Sequence, residues 1–280
     1  MTTFDEYLAE LGGALHVRGA ARRRFVRECR HHLADAAAAR GEREAVRAFG
    51  PASEIAAAFD AEVAARRGVR STFATVAAVL ATGGSTLALI HAASTDTTAP
   101  AWWAIAFFVA AQVAAVAAGL ALVQALVLRR STMASAEVVL LARRNGCALV
   151  AAGVTMFSAG AAVPGRASAI VLLAGPALAC AALVAVLRAR SLARRLDGRG
   201  ALAVRPPLED LGRLVRLPVP SLDARRLLLI TTAVAAGGAF ARDRVEHGSV
   251  GEALAFAGLE GLAIVVCFLV LGPALGLWRR

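Results

Sequence analysis

Hydrophobic and polar positions change their pattern at about residue 70. Up to there, apolar residues recur at helical spacing among many charges, the mark of short amphipathic helices. Thr3 and Glu6 form a capping box that opens a first helix, whose Tyr7, Leu8, Leu11 and Leu15 share one face; Gly12-Gly13 weakens its end. A second helix over 20–40 places Phe25, Cys29, His32/Leu33 and Ala36 on one stripe and Arg23, Arg27 and Arg30 on the other, and Gly41 stops it. A third covers 42–49 and ends at the breaker Gly50-Pro51. A fourth turns Ile55, Phe59 and Val63 inward and carries Arg66-Arg67 near its C-terminus, where the helix dipole favours cations. Four one-sided helices bury their stripes by forming a small bundle.

From Thr72 onward the chain offers long uncharged runs instead, which means lipid as solvent. The runs predict six spans, at about 72–92, 102–128, 147–163, 167–187, 227–240 and 253–277. Residues 131–146, with Glu137 and Arg143-Arg144, read as an amphipathic connection, and 188–226 as a long Arg-rich loop. The fifth run is the weak one: fourteen residues reach only about 21 Å, against a hydrocarbon core of roughly 30 Å. Snorkelling by Arg225, Arg226 and Arg242 extends it, and a re-entrant segment is the alternative. The fold class expected is therefore all-α, a small cytoplasmic helical bundle (1–70) followed by a six-helix transmembrane domain (71–280).

Composition agrees with that division. Mean hydropathy is +0.64 and 58% of residues are hydrophobic, above the soluble norm. The net charge of +11 invites a nucleic-acid reading, but its distribution points to topology. Residues 1–70 hold 12 Arg against 10 acids. Beyond them, sixteen Arg fall in segments that are inner if the N-terminus is cytoplasmic, and three (Arg166, Arg242, Arg244) in outer loops. The positive-inside rule then puts both termini in the cytoplasm, with no direct nucleic-acid contact expected. The wealth of Ala and Arg suggests a high-GC, bacterial genome, hence a multi-pass protein of the inner (plasma) membrane.

Several chemistries are missing. All 31 basic residues are Arg, so P-loop, kinase and Schiff-base lysines do not exist here. Cys29, Cys147, Cys180 and Cys267 have no metal or disulfide spacing, and three of them lie in apolar runs. His31 and His32 point about 100° apart on a helix and do not share a metal. With no G-x-S-x-G, H-E-x-x-H or paired carboxylates in the cytoplasmic part, the expectation is a non-enzyme without cofactor or metal.

The N-terminal motifs also carry a resemblance. Tyr7-Leu8-x-x-Leu11, Arg27-Glu28-x-x-x-His32-Leu33, Gly41 before Glu42-Arg43-Glu44-Ala45, and Phe49-Gly50-Pro51-x-x-Glu54-Ile55-Ala56 together resemble the HAAS signalling domain. The likeness covers about a quarter of the chain. It departs where the family's Gly-Asp-Pro is Gly50-Pro51, and where the first linker lacks a proline. The resemblance implies a membrane protein that signals through, or controls, a PadR-like transcriptional regulator. A similar domain also precedes some ABC-exporter permeases, so a transporter membrane subunit that borrows its ATPase is the alternative. That alternative needs a coupling helix, for which 131–146 and 202–217 are the candidates.

The candidate partner-binding residues are Arg23, Arg27, Arg30, Phe49, Ile55 and Phe59, on the Arg and apolar faces of the bundle. A second candidate is an intramembrane polar site at Glu260, the one acid well inside a span, with Gln112 and Gln124 as partners. A structural hydrogen bond between helices, or a protonated neutral acid, is the favoured explanation over a proton or ligand pathway. Gly272-x-x-x-Gly276 has the small-xxx-small spacing of homodimer seams. Residues 206–216 place Leu208, Leu211 and Val215 on one face, suited to lipid or to a docked partner.

Overall fold

A computed structural model describes residues 3–92, 101–129, 135–162, 180–188, 190–192, 224–247 and 249–277. Among them the only regular secondary structure is helix. The named elements are α1 (Phe4–Ala14), α2 (Ala20–Arg40), α3 (Glu42–Phe49), α4 (Ala52–Ala92), α5 (Ala101–Leu128), α6 (Ser135–Ala162), α7 (Ala224–His247) and α8 (Val250–Leu275).

The N-terminal bundle forms as its stripes require. Thr3 accepts from the Glu6 N–H at 3.3 Å while Glu6 accepts from the Thr3 N–H at 2.8 Å, closing the capping box. Tyr7, Leu8, Leu11, Leu15, Cys29, Leu33, Ala45, Ala52 and Ala56 make one buried core. Phe25 stacks on Phe59 with ring centroids 3.7 Å apart, and the Tyr7 hydroxyl donates to the Gly50 carbonyl at 3.0 Å. Gly41 separates α2 from α3 at φ +86° and ψ 151°, a conformation open essentially to glycine alone.

The first difference from the sequence reading lies in α4. The bundle's fourth helix and the first expected span are one uninterrupted helix of 41 residues. Gly68 lies within it. A Cβ there would meet Val138 at 3.2 Å and Leu141 at 3.4 Å, so the missing side chain lets α4 approach α6 closely.

Three helical stretches, not six, are long and apolar enough to cross a membrane among the described residues: Ile105–Leu128, Glu137–Gly160 and Val250–Leu275. They match the second, third and sixth expected spans, and they make this a membrane protein. Large side chains such as Val150, Phe157, Leu262 and Val270 lie exposed on them, as a lipid-facing surface demands. The first expected span forms the second half of α4, which carries a polar stripe. Ser71, Thr75, Thr82 and Thr86 each return a hydroxyl to a carbonyl three or four residues back, at 2.6 to 2.9 Å. The apolar part of the fifth run is short as expected, Leu228–Ala241, although its helix extends over Ala224–His247. Most of 167–187, and the segment 206–216, fall outside the described residues.

The third span begins earlier than expected. Residues 135–146 are the first turns of α6 and not a separate connection, because Val138, Arg144 and Asn145 find buried partners on α4, α5 and α8. Val109, Val113, Ala114 and Ala117 of α5, Ala148, Ala151 and Ala152 of α6, and Ile264 and Phe268 of α8 form the central core. Alanine dominates it and allows close helix approach without a water-driven hydrophobic effect. Gly276, the second glycine of the Gly272-x-x-x-Gly276 spacing, caps α8 at φ +72° and lies against Leu140. The bundle does not hang free: Val17 and Ala64 pack with Val138, Val139 and Leu192.

Candidate functional site

Three polar constellations stand out, one on the bundle and two among the long helices. On the bundle, α1 and α2 enclose a groove of about 610 Å³ whose lining includes Leu8, Ala9 and Val26 together with Arg22, Arg23, Arg27 and Arg30. Arg23, Arg27 and Arg30 are spaced four and three residues apart, so α2 displays them along one side. Arg30 lies 3.8 Å from Asp5. Arg22, Arg23 and Arg27 have no ion pair among the described residues. The groove thus joins an apolar floor to uncompensated positive charge.

Of the six expected contact residues, the structure brings Arg23, Arg27 and Arg30 to this groove and leaves them exposed. The other three sit elsewhere. Phe49 meets Tyr7 edge-on at 6.2 Å, Phe59 stacks on Phe25, and Ile55 is half-buried against the same core. These three hold the bundle together.

The intramembrane pair is assembled in part. Gln112 of α5 donates through Nε2 to the Glu260 carboxylate of α8 at 3.0 Å, and only 2% of Glu260 is exposed. The pair borders a cleft of about 530 Å³ walled by Phe108, Val116, Ile230 and Val234. A carboxylate at this depth is costly unless hydrogen-bonded or protonated, and the amide supplies one such bond. Gln124 belongs to another network. Its Nε2 donates to the Glu137 carbonyl at 3.1 Å and its Oε1 accepts from Arg144 at 2.9 Å.

That second network escaped the sequence reading. Arg144, read there as a loop cation, is 1% exposed, and it donates to the carbonyls of Leu275 at 3.0 Å and Leu120 at 3.4 Å. Its guanidinium fork therefore fastens α6 to α5 and to the end of α8. The neighbouring Asn145 donates to Thr72 Oγ1 at 2.9 Å, fastening α6 to α4. Asp60 also went unnoticed. Wholly buried, it accepts from the backbone N–H of His16 at 2.7 Å and of Val17 at 3.0 Å. The available signal was an acid inside the apolar-spaced stretch Phe59-Asp60-Ala61 of a helix.

Tyr7 and Cys29 sit beside each other in the bundle core. Burial, followed by the Cys29 and Glu10 charges, pushes the Tyr7 hydroxyl above its ordinary value. Burial and then Glu28 push the Cys29 thiol up. Neither group is poised for chemistry at neutral pH. Among the described residues no three His, Cys, Asp or Glu side chains gather as a metal site.

The HAAS family model matches residues 6–58. The matched stretch contains the bundle core and both walls of the Arg-lined groove, so this chain carries a HAAS domain at its N-terminus. No curated protein and no solved structure matches the chain.

Proposed function

We propose that this is a membrane-embedded regulatory protein, without catalytic activity of its own, whose HAAS domain binds a cytoplasmic protein. The partner favoured is the PadR-like transcriptional regulator implied by the resemblance of residues 6–58. In this reading the chain is a multi-pass protein of the bacterial inner membrane with both termini inside, and segments 72–92, 167–187 and 227–240 complete six spans. The observation that supports it most is the groove between α1 and α2, where Arg22, Arg23 and Arg27 stand beside an apolar floor with no ion pair among the described residues. Such a surface suits an amphipathic acidic segment of another protein, with charge steering the encounter and apolar contact holding it.

Pull-down of the full-length protein from its native membranes tests this. The expected result is recovery of a PadR-like regulator, reduced at least tenfold when Arg23, Arg27 and Arg30 are replaced by Glu. Recovery of no transcription factor from a preparation whose bundle is intact would count against it. The transporter alternative needs a coupling helix on the cytoplasmic surface. Of its two candidate segments, residues 135–146 are the largely buried start of α6, and 202–217 lie outside the described residues. Co-purification of an ATPase would favour it.

A further inference from the structure

Where α4 passes the end of α5, the two helices enclose a second basic cavity, of about 820 Å³. Arg66, Arg70, Arg129 and one carboxylate, Glu62, line it together with Val69, Phe73 and Leu128. Its place along the fold is specific. Leu128 is the last residue of a membrane-length helix, and Arg129 follows it directly, so the cavity lies at the boundary between hydrocarbon and water. Arg66 is paired with Glu62. Arg70 and Arg129 are exposed and have no ion pair among the described residues, and the Arg129 guanidinium lies 5.8 Å from the centre of the Phe73 ring. A guanidinium held against a ring face keeps its N–H edge available for an acceptor.

We propose that this cavity holds the headgroup of an anionic phospholipid, with the phosphate between Arg70 and Arg129 and the acyl chains descending over Phe73 and Leu128. Three observations combine to favour that occupant over a soluble anion: cations without counter-ions, an apolar floor continuous with the span, and a position at the end of a membrane-length helix. A soluble phosphate would use the first and ignore the other two. Since α4 also forms part of the bundle core through Ala52 and Ala56, the lipid would sit on the helix that carries the HAAS domain.

The test uses full-length protein in nanodiscs of phosphatidylcholine, into which phosphatidylglycerol or a photo-crosslinkable analogue of it is titrated. Expected are saturable retention of phosphatidylglycerol and crosslinks mapping to residues 58–73 and 128–129. Substituting Arg70→Gln with Arg129→Gln should weaken retention at least tenfold, whereas Arg70→Lys with Arg129→Lys should stay within about threefold. Arg40→Gln with Arg43→Gln, exposed on the bundle and outside both cavities, should change nothing. The proposal is overturned by equal retention of phosphatidylcholine, by retention unchanged in the Gln pair, or by crosslinks confined to other helices. Displacement of the lipid by millimolar inorganic phosphate would overturn it in favour of a soluble-anion site. The crosslink map on unaltered protein decides the matter even where a variant fails to fold.

Discussion

Asp60 holds His16 twice, through the backbone N–H at 2.7 Å and through Nδ1 at 3.1 Å. With the bond from Val17 N–H at 3.0 Å, this one carboxylate on α4 ties down the turn between α1 and α2. The turn cannot supply those acceptors itself, because residues 15–18 are non-helical and leave their N–H groups unpaired within the loop.

Asp60→Ala should therefore loosen the whole HAAS domain. Two backbone donors lose their acceptors, at about 1–3 kcal/mol each when they stay buried. Asp60→Asn keeps one acceptor oxygen and should cost less. Alkylation of Cys29 in the full-length protein is the readout, since the thiol is buried and reacts only when the bundle opens. The Ala variant should react at least tenfold faster than wild type and the Asn variant should fall between; equal rates in all three would refute the tether.

The bundle should also weaken in alkali. Tyr7 and Cys29 both titrate above their ordinary values in the fold, chiefly because burial disfavours their anions. A raised acid pKa favours the folded state while the group keeps its proton. That contribution is complete below the unfolded pKa and is lost as pH rises through the folded one. Glu6 runs oppositely. Its carboxylate is held below the usual range by the Thr3 backbone and hydroxyl bonds, so its small contribution fades as pH falls. Circular dichroism melts between about pH 7 and 11 should show stability declining above roughly pH 9, the ordinary thiol range. Cys29→Ala with Tyr7→Phe should flatten that decline, and an unchanged slope would show that other groups govern it.

Arg144 and Gln124 should behave as a unit. Replacing Arg144 by Ala strips buried acceptors at Leu275, Leu120 and Gln124 of their donor, an expected loss of about 3 kcal/mol or more. Combining Arg144→Met with Gln124→Leu removes a donor and an acceptor together and should cost less than the sum of the two single changes. Thermal melts of the four proteins in one detergent check this, and strict additivity would show that the two side chains act independently.

The bundle was legible in the chain because its signals are local. The Thr3–Glu6 box, the stripe of Tyr7, Leu8, Leu11 and Leu15, and the stop at Gly41 each involve residues a few positions apart, and each is found in place. The pairing of Glu260 with Gln112 was legible too, since an acid in an apolar run needs a polar neighbour and few exist. Arg144 was not, for its acceptors come from Leu120 and Leu275, 24 and 131 positions away. No spacing rule distinguishes an arginine that ends a span from one that other helices will satisfy. Arg66-Arg67 misled for the same reason: two cations look like a helix end, whereas the helix runs on through Gly68, whose close neighbours Val138 and Leu141 belong to another helix.

The unbroken course of α4 has a mechanical consequence. A hinge between the bundle and the long helices would let a load on the bundle be absorbed without disturbing anything below. A stiff rod roughly 60 Å long offers no such slack. Torque applied near Phe59 must turn Thr72 through the same angle and strain its bond to Asn145, so grip on one side of the boundary is felt on the other.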